Sequence, residues 1–444
     1  MHETTMTPTA SSAPNESGGT RLRVLFLAKQ FPWPLNVGSR QRIFHLMRGI
    51  AAAHHVSAIA YDAPPSKTDI DEFKAASGCD DITIVPRPEV ALGARDEAPI
   101  NRQVSRAIRA ARRISGLAAS PLPGFVRNVW SDDLVRAIAS AARAEAFDLV
   151  YATQSWMAEH AKAAGLTRIA VDVDDLVSLI SRQRLATSPW TARKPLSIVE
   201  SVKDVAYERS LPARFSHVIV AKNEDQNFFN APDRGRVSIV PNGIKIPIRP
   251  LEEPALANRI LFVGTLGYEP NIDAIRWFAR EILPLIWRER PDVHLDVAGF
   301  GSGAAVEDVL ADPRCALHES PPDLTPLYAG AAVVIAPVRI GGGTRIKILE
   351  ALALGRALVS TVFAAEGLGL RDRIDLEYGD SPGAIAALCV ALLADEARRR
   401  TLATTGRQRV AEQFDWNRIE LLLPKLITRF VAHEDSVASE TRDI

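Results

Sequence analysis

The chain has 444 residues, about three times the usual size of one domain, so we expect two or three domains, each with its own core. A composition of 47% hydrophobic and 24% charged residues excludes a disordered, collagen-like or coiled-coil protein. The 53 lysines and arginines balance the 53 aspartates and glutamates, so no overall positive field exists and we expect no nucleic-acid partner.

The N-terminal residues 1–20 contain no positive segment followed by an apolar one, which indicates a disordered tail and not a secretion signal. The longest uncharged apolar stretch, Ala329–Val338, is about half as long as a membrane-spanning helix must be. The three cysteines lie far apart and form no CxxC motif, a pattern typical of a reducing compartment without structural zinc: Cys79, Cys315 and Cys389. We therefore expect a cytoplasmic protein.

Ordered structure is predicted to begin at residue 22. The nearly continuous apolar run Leu22–Ala28 is typical of a strand that is buried on both faces of a parallel sheet. Residues 31–39 are rich in turn formers, and apolar residues recur at helical spacing from Arg40 onward. Strand, loop and helix together form the first half of a βαβ unit.

Short strand-like runs alternate with helical patterns along the rest of the chain. Five of them precede residue 237: His55–Tyr61, Ile82–Val85, Leu149–Ala152, Ile169–Val173 and His217–Ala221. Four more follow it: Arg259–Gly264, Val293–Ala298, Ala332–Ala336 and Ala357–Ser360. This alternation predicts an α/β protein with two doubly wound parallel sheets.

The boundary between the two series is predicted at residues 237–250, because three prolines and an Asn-Gly turn are typical of a linker. This linker, which contains the hinge, joins predicted domains at 21–236 and 251–415. Residues 416–444 are predicted to be a terminal helix and tail, since their apolar residues recur at helical spacing. Ligands of such sheets bind outside the carboxyl ends of the strands, so the cleft between the domains is the expected site.

Four motifs follow one another in a fixed order: Val240–Ile244 (VPNGI), Phe262–Gly264 (FVG), Val297–Gly301 (VAGFG) and Gly341–Ala351 (GGGTRIKILEA). Over residues 21–430 the chain resembles the retaining glycosyltransferases of the GT-B fold, the group 1 or family 4 class. The resemblance implies two Rossmann-like domains facing across a cleft, the first on the acceptor side and the second binding a nucleotide sugar, with a C-terminal helix that packs back. The variant Gly267–Ala274 resembles bacterial members that build exopolysaccharide or other envelope glycans.

The three glycines that end at Gly343 follow a predicted buried strand and precede a helix predicted from Thr344. Free backbone N–H groups and a helix N-terminus predict a diphosphate cradle at Gly342, Gly343 and Thr344, with a merely flexible loop as the alternative. The resemblance implies that Glu350 accepts hydrogen bonds from the ribose hydroxyls of the donor. Gly342 stands where the family has a glutamate that contacts the donor sugar, so sugar orientation must come from elsewhere.

Two cations follow the glycines, and residues at i and i+2 of a helix do not share a face, so one of Arg345 and Lys347 is expected to face phosphate. We favour Arg345, and a solvated surface is the alternative. The family has an Arg and a Lys in the loop that is here Gly264–Asn271, which contains no cation. Either the two cations compensate, or the backbone amides of Gly264–Gly267 and the Asn271 side chain stabilise the leaving group. Asn271 has an alternative role as N-cap of a helix over 272–280.

Two further glycines are assigned to the donor through the resemblance. Gly299 lies in a turn after a predicted strand, where the family lets the nucleotide approach the backbone, although a GxG turn alone is a weak signal. Gly38 lies in a first-domain loop that touches donor phosphate or acceptor in the family. Ordinary turn chemistry is the alternative for both positions.

Three carboxylates, Asp172, Asp174 and Asp175, end or follow a predicted strand of the first domain. The resemblance places a His or an acid here, and Asp174 or Asp175 could orient the acceptor hydroxyl or act as its base. The alternative is an Asx cap of the next helix. A Mg²⁺ or Mn²⁺ site is also conceivable for paired carboxylates, but the glycine cradle and its cations already neutralise a diphosphate, so we expect no metal.

Residues 101–116 have arginines on one helical face and apolar residues on another. Such a helix can lie on an anionic membrane or pack against the sheet. The sequence thus predicts a cytoplasmic, metal-independent transferase, peripheral on the inner face of the membrane if this helix binds lipid. Its partners would be a nucleotide-diphosphate sugar, as co-substrate with no other cofactor, and a glycan or lipid-linked acceptor. A nucleotide-sugar 2-epimerase and a non-catalytic donor-binding scaffold are the alternatives.

Overall fold

The strands lie in two parallel sheets, one formed by residues before 240 and the other by residues after 258. The structure, a computed structural model, describes residues 21–35, 37–87, 120, 122–187, 190–191, 194–252, 257–341 and 346–440. The predicted tail 1–20 and the predicted amphipathic helix 101–116 lie outside these residues. Two doubly wound parallel sheets confirm the predicted fold class.

The first sheet has seven strands in the order β3-β2-β1-β4-β5-β6-β7. Its strands are β1 Arg23–Ala28, β2 His55–Asp62, β3 Asp81–Pro86, β4 Leu149–Thr153, β5 Ile169–Val173, β6 His217–Val220 and β7 Val237–Ile239. Strand order reverses between β1 and β4, and ligands bind at the carboxyl edge beside such a point. The last strand occupies three residues of the predicted linker, because they pair with β6.

Helices cover this sheet on both faces. Those described are α1 Gly38–Ala51, α2 Lys67–Ser77, α3 Gly124–Arg127, α4 Asp132–Ala144, α5 Ser155–Ala163, α6 Val177–Thr187, α7 Lys194–Arg209, α8 Leu211–Arg214 and α9 Asn223–Gln226. Local signals fix several starts: Ser66 and Asp69 form a capping box before α2, and Ser131 caps α4. Apolar side chains pack on both sides of the sheet, as the continuous apolar runs of its strands require.

The second sheet has six strands in the order β10-β9-β8-β11-β12-β13. They are β8 Arg259–Val263, β9 His294–Gly299, β10 Cys315–Glu319, β11 Val333–Ala336, β12 Ala357–Ser360 and β13 Glu377–Tyr378. The helices described are α10 Glu269–Trp277, α11 Leu283–Glu289, α12 Thr325–Gly330, α13 Ile346–Ala353, α14 Pro382–Ala394, α15 Glu396–Gln413 and α16 Trp416–Glu440. The sequence missed β7, β10 and β13, which are short or only partly buried and therefore lack a continuous apolar run.

The chain crosses between the two sheets twice, and the crossings lie side by side. The Ile244 amide donates to Phe414 O at 2.7 Å, and the Trp416 amide donates to Ile244 O at 3.2 Å. The helix α16 then packs on α1 of the first domain, where the Trp416 ring stacks on His45 with centroids 4.6 Å apart. This return confirms the predicted C-terminal helix. Among the described residues, no helix is both long enough and apolar enough to cross a bilayer.

Candidate functional site

A cavity of about 570 Å³ lies between the two domains, at the carboxyl ends of their strands. Eight of the predicted site residues line it together: Gly38, Asp174, Asp175, Gly264, Asn271, Gly299, Lys347 and Glu350. The other four, Gly342, Gly343, Thr344 and Arg345, lie outside the described residues. Both domains therefore contribute to one cleft, as a site shared by two carboxyl edges requires.

Backbone forms the floor of the cavity where β8 and β9 end. A Cβ atom built on Gly299 would lie 1.8 Å from Gly264 O, far inside van der Waals contact. The Gly264 amide in turn donates to Ala298 O at 2.9 Å. Position 299 therefore accepts only glycine, because the loops after β8 and β9 are in backbone contact there.

The first domain meets this floor at the beginning of α1. Gly38 is the first residue of α1, and the preceding Val37 provides no capping side-chain bond. A Cβ atom on Gly38 would lie 2.3 Å from Ile346 Cδ1, so the two domains are in close contact here. The first turn of this 14-residue helix, where the helix dipole is positive, lines a cavity that could hold an anion.

Lys347 reaches the loop that lacks a cation of its own. Its Nζ donates a 2.5 Å hydrogen bond to Asn271 Oδ1 and lies 4.4 Å from the centroid of the Phe262 ring. Asn271 Nδ2 donates to Thr265 O at 2.8 Å. The predicted alternative that Asn271 caps a helix over 272–280 is wrong, because α10 begins earlier, at Glu269, and Asn271 is buried within its first turn.

Glu350 is positioned by a buried tyrosine. Tyr328, fully buried on α12, donates from its hydroxyl to Glu350 Oε2 at 2.9 Å. Burial raises the pKa of Glu350 above its ordinary value, and the Tyr328 hydrogen bond offsets that only in part. No described group donates to Oε1, so this oxygen can accept from a ligand hydroxyl.

A buried ion-pair network lies behind the first-domain wall of the cavity. The sequence did not reveal it. Arg42 donates to both oxygens of Asp172, at 2.9 and 2.5 Å, and its Nη1 donates to Asn242 Oδ1 at 3.0 Å. Asn242 Nδ2 donates onward to Asp174 Oδ1 at 2.8 Å. Burial would lower the pKa of Arg42, but the paired Asp172 raises it on balance. The only hint in the sequence was the Asn-Gly motif of the linker. Through Arg42 and Asp174, its Asn242 side chain connects the hinge to the end of β5.

The two aspartates after β5 differ in their surroundings. Burial would raise the pKa of Asp174, but Lys29, Arg42 and the bond from Asn242 lower it on balance. Burial and the neighbouring Asp174 charge raise the pKa of Asp175 to about 7. No described group donates a hydrogen bond to Asp175, so its carboxyl group can exchange a proton near neutral pH.

The predicted alternative that Asp174 or Asp175 caps the next helix is wrong. The first two amides of α6, those of Val177 and Ser178, donate to the two oxygens of Glu208, at 2.7 and 3.0 Å. A carboxylate from α7 therefore takes the role that an Asx cap would have had. This leaves the Asp175 side chain directed to the wall of the cavity.

Comparison with known proteins agrees with this architecture. Residues 257–395, which carry most of the cavity's second-domain side, match the family "Glycosyl transferases group 1". Residues 257–395 thus form a group 1 glycosyltransferase domain in a chain with the GT-B fold. That match, together with two facing Rossmann-like sheets and a site between them, confirms the predicted glycosyltransferase activity.

Three proteins illustrate the likeness of this glycosyltransferase to others. The Mycobacterium tuberculosis glycogen synthase is 24% identical over 428 residues, which are 90% of this chain and 92% of that protein. An uncharacterized 44.6 kDa protein in the cps region of Klebsiella pneumoniae is 30% identical over 118 residues, 25% of this chain and 30% of that protein. The Anabaena protein HepE, solved with UDP and glucose, has a TM-score of 0.60 at 11% identity, covering 92% of this chain and 100% of that chain.

Proposed function

We propose that this glycosyltransferase moves a sugar, with retention of configuration, from a nucleotide-diphosphate sugar to a glycan or lipid-linked acceptor of the cell envelope. One observation carries the proposal: Glu350, Lys347 and Gly299 from one domain share a single cavity with Gly38 and Asp175 from the other. UDP and glucose bound to HepE support a nucleotide-sugar donor. The relative in a cps region supports an envelope or exopolysaccharide product.

The donor would lie against the second domain. Glu350 Oε1 would accept from the ribose hydroxyls, since an acceptor-only carboxylate complements a diol. The backbone at Gly264 and Gly299 would allow the nucleotide to approach closely. Lys347 and the first turn of α1 would hold the diphosphate from opposite domains, which couples donor binding to closure of the cleft.

The acceptor would approach from the first domain. Asp175 can accept a proton from the acceptor hydroxyl because its pKa lies near 7, whereas Asp174 is held ionised by Lys29 and Arg42. We therefore assign acceptor activation to Asp175 and a positioning role to Asp174. The proposal requires no metal ion, because Lys347, the α1 N-terminus and the predicted cation Arg345 supply the positive charge that a leaving diphosphate needs.

Calorimetric titration with UDP, GDP, ADP and dTDP sugars, each with and without EDTA, tests the donor. We expect saturable binding of one of them that EDTA does not weaken. Glu350→Ala should weaken it by about 2 kcal/mol, the magnitude typical of a charged hydrogen bond, whereas Glu289→Ala on the exposed end of α11 should not. Unchanged affinity in the folded Glu350 variant would remove this residue from the site.

Product analysis by NMR distinguishes the proposal from its two alternatives. Transfer with retained anomeric configuration, seen only when acceptor is present, supports the proposal. Free epimerised sugar formed without acceptor would indicate a nucleotide-sugar 2-epimerase. Binding without turnover across an acceptor panel would indicate a donor-binding scaffold.

A further inference from the structure

The exposed face of α16 combines two leucines with three cations. Leu421 and Leu422 are 76% and 66% exposed, which is unusual for adjacent large apolar residues. Arg418, Lys425 and Arg429 lie on either side of them along the helix and are exposed as well. Positions 418, 422, 425 and 429 follow helical spacing, so this face, here called the Leu-Arg face, is continuous.

The core of the protein does not require these leucines. The opposite side of α16 is buried through Ile419, Leu423 and Ile427, which pack against the first domain. Its acid Glu420 accepts from Arg48 Nε at 3.0 and 2.9 Å. One face of the helix is therefore packed against the first domain, whereas the Leu-Arg face is exposed to solvent.

The three cations have no acidic partner within the described chain. No ion pair or side-chain hydrogen bond joins Arg418, Lys425 or Arg429 to a described residue. A neighbouring acid, Glu412, accepts a hydrogen bond from Gln408 instead. The face therefore presents three uncompensated positive charges around an apolar centre.

A groove beside this face extends the apolar surface. It has a volume of about 620 Å³ between α16 and residues 239–241 of the hinge. Its lining combines Ile239, Val240, Pro241, Leu422 and Leu426 with the same three cations and Glu412. An amphiphile with an anionic head matches both parts of this lining.

We propose that the Leu-Arg face docks the protein on a bilayer that contains anionic lipids. The leucines would enter the headgroup region, and the cations would contact lipid phosphates, as on interfacial amphipathic helices. Charge complementarity selects this occupant. A second copy would bring like charges together, because a two-fold interface places the same patch on both sides.

Docking through α16 would orient the cleft. Glu420 accepts from Arg48 of α1, and a Cβ atom on Gly49 would lie 2.6 Å from Leu423 Cδ1, so the two helices are in close contact. The first residue of α1, Gly38, lines the cavity. Docking would therefore hold the first domain, with the α1 residues that line the cavity, at the membrane that carries a lipid-linked acceptor, a consequence that rests on the proposed function.

Vesicle cosedimentation with the full chain tests the docking. The wild-type protein should bind phosphatidylglycerol-containing vesicles, bind pure phosphatidylcholine vesicles at least tenfold more weakly, and dissociate at high salt. Arg418→Glu, Lys425→Glu and Arg429→Glu combined should lower partitioning about 100-fold, because each lost cation contributes about fivefold. Leu421→Ser with Leu422→Ser should also lower it. Residues 101–116 stay unchanged in every variant.

Matched controls separate this face from general charge and hydrophobicity. Lys67→Glu, Arg143→Glu and Arg288→Glu make the same charge change at exposed positions on three other helices. Ile248→Ser with Ile374→Ser removes exposed apolar surface elsewhere. Both controls should leave the contacts of α16 with lipid intact. Each control should therefore bind anionic vesicles clearly better than the corresponding Leu-Arg variant. Nucleotide binding reports folding in all of them.

Three outcomes would overturn the docking: absence of wild-type binding to anionic vesicles, binding of the Leu-Arg variants equal to that of their controls, or a vesicle-free dimer that the Leu-Arg variants dissociate. None of them bears on donor binding, which is measured separately. Failure of the docking and failure of the proposed function are therefore distinguishable.

Discussion

Lys347 Nζ donates a 2.5 Å hydrogen bond to Asn271 Oδ1 across 76 positions of sequence. The bond brings a cation to the loop of Gly264, where a Cβ atom would lie 2.7 Å from the same Nζ. The sequence offered two substitutes for the missing cation of this loop: a distant cation or the Asn271 side chain. The structure joins Lys347 and Asn271 in one hydrogen-bonded pair. This pair is the basis of the first prediction.

Lys347→Met should weaken binding of a nucleotide-diphosphate sugar about 10- to 100-fold, because the diphosphate loses a charged hydrogen bond of about 1.5–3 kcal/mol. Lys347→Arg should retain part of the affinity. Lys67→Met, exposed on α2, is the matched control. Calorimetry checks the result, and equal affinities for the Lys347→Met variant and the control would remove Lys347 from the donor site.

Asp175→Asn should flatten the pH dependence of turnover near neutrality. The carboxylate must be ionised to accept a proton, so wild-type turnover should rise as pH increases through about 7. Turnover of the Asn variant should be at least tenfold lower at pH 8, without that rise. Asp71→Asn on α2 is the control. A wild-type profile that is flat from pH 6 to 8 would contradict the assignment.

The same variant should be more stable than the wild type at alkaline pH. A carboxyl pKa that is raised on folding means that the native state binds more protons than the unfolded state between about pH 4 and about pH 7. Wild-type stability attributable to Asp175 is therefore lost as pH rises through this window. Thermal unfolding at pH 8 should show a midpoint about 2–4 °C higher for Asp175→Asn and no such difference at pH 4.

Arg42→Lys should destabilise the protein although it keeps the charge. Lysine cannot make both the bidentate contact with Asp172 and the hydrogen bond to Asn242. Buried polar groups then lose their partners, which should lower the free energy of unfolding by about 3–5 kcal/mol. Urea unfolding measures the difference against Arg143→Lys, which changes an exposed arginine. Coincident unfolding curves for the two variants would show that the network does not stabilise the hinge.

Gly299→Ala should abolish donor binding or destabilise the second domain by more than 2 kcal/mol, because the added methyl group meets Gly264 O. Gly267→Ala is a close control, since a Cβ atom there meets nothing within 4 Å. Calorimetry and thermal unfolding of both variants check this. Wild-type behaviour of Gly299→Ala would mean that the two loops can separate.

The fold and the location of the site could be predicted because they depend on local patterns. Apolar runs of four to eight residues mark strands that are buried on both faces, and β5 and β12 begin and end where those runs do. Parallel strands place their carboxyl ends at one edge, so residues that follow different strands converge. The domain boundaries and the roles of all the predicted site residues stay predictions.

The partners of individual side chains could not be predicted, because they depend on contacts between distant segments. Arg42 meets Asp172 across 130 positions and Asn242 across 200, and no spacing rule connects them. The same applies to Glu208, which caps α6 from another helix and so leaves Asp175 to the cavity.

The sequence by itself determined two doubly wound sheets, a cleft between them and the residue types at its edge, because hydrophobic periodicity and turn residues act over a few neighbouring positions. The tertiary structure alone decided that Lys347 contacts the loop of Gly264 and that Leu421 and Leu422 are exposed. It also decided that neighbouring cations lower the pKa of Asp174, whereas burial raises that of Asp175 to about 7. Charge pairing and burial depend on which distant groups come within a few ångströms, and packing of the whole chain sets those distances.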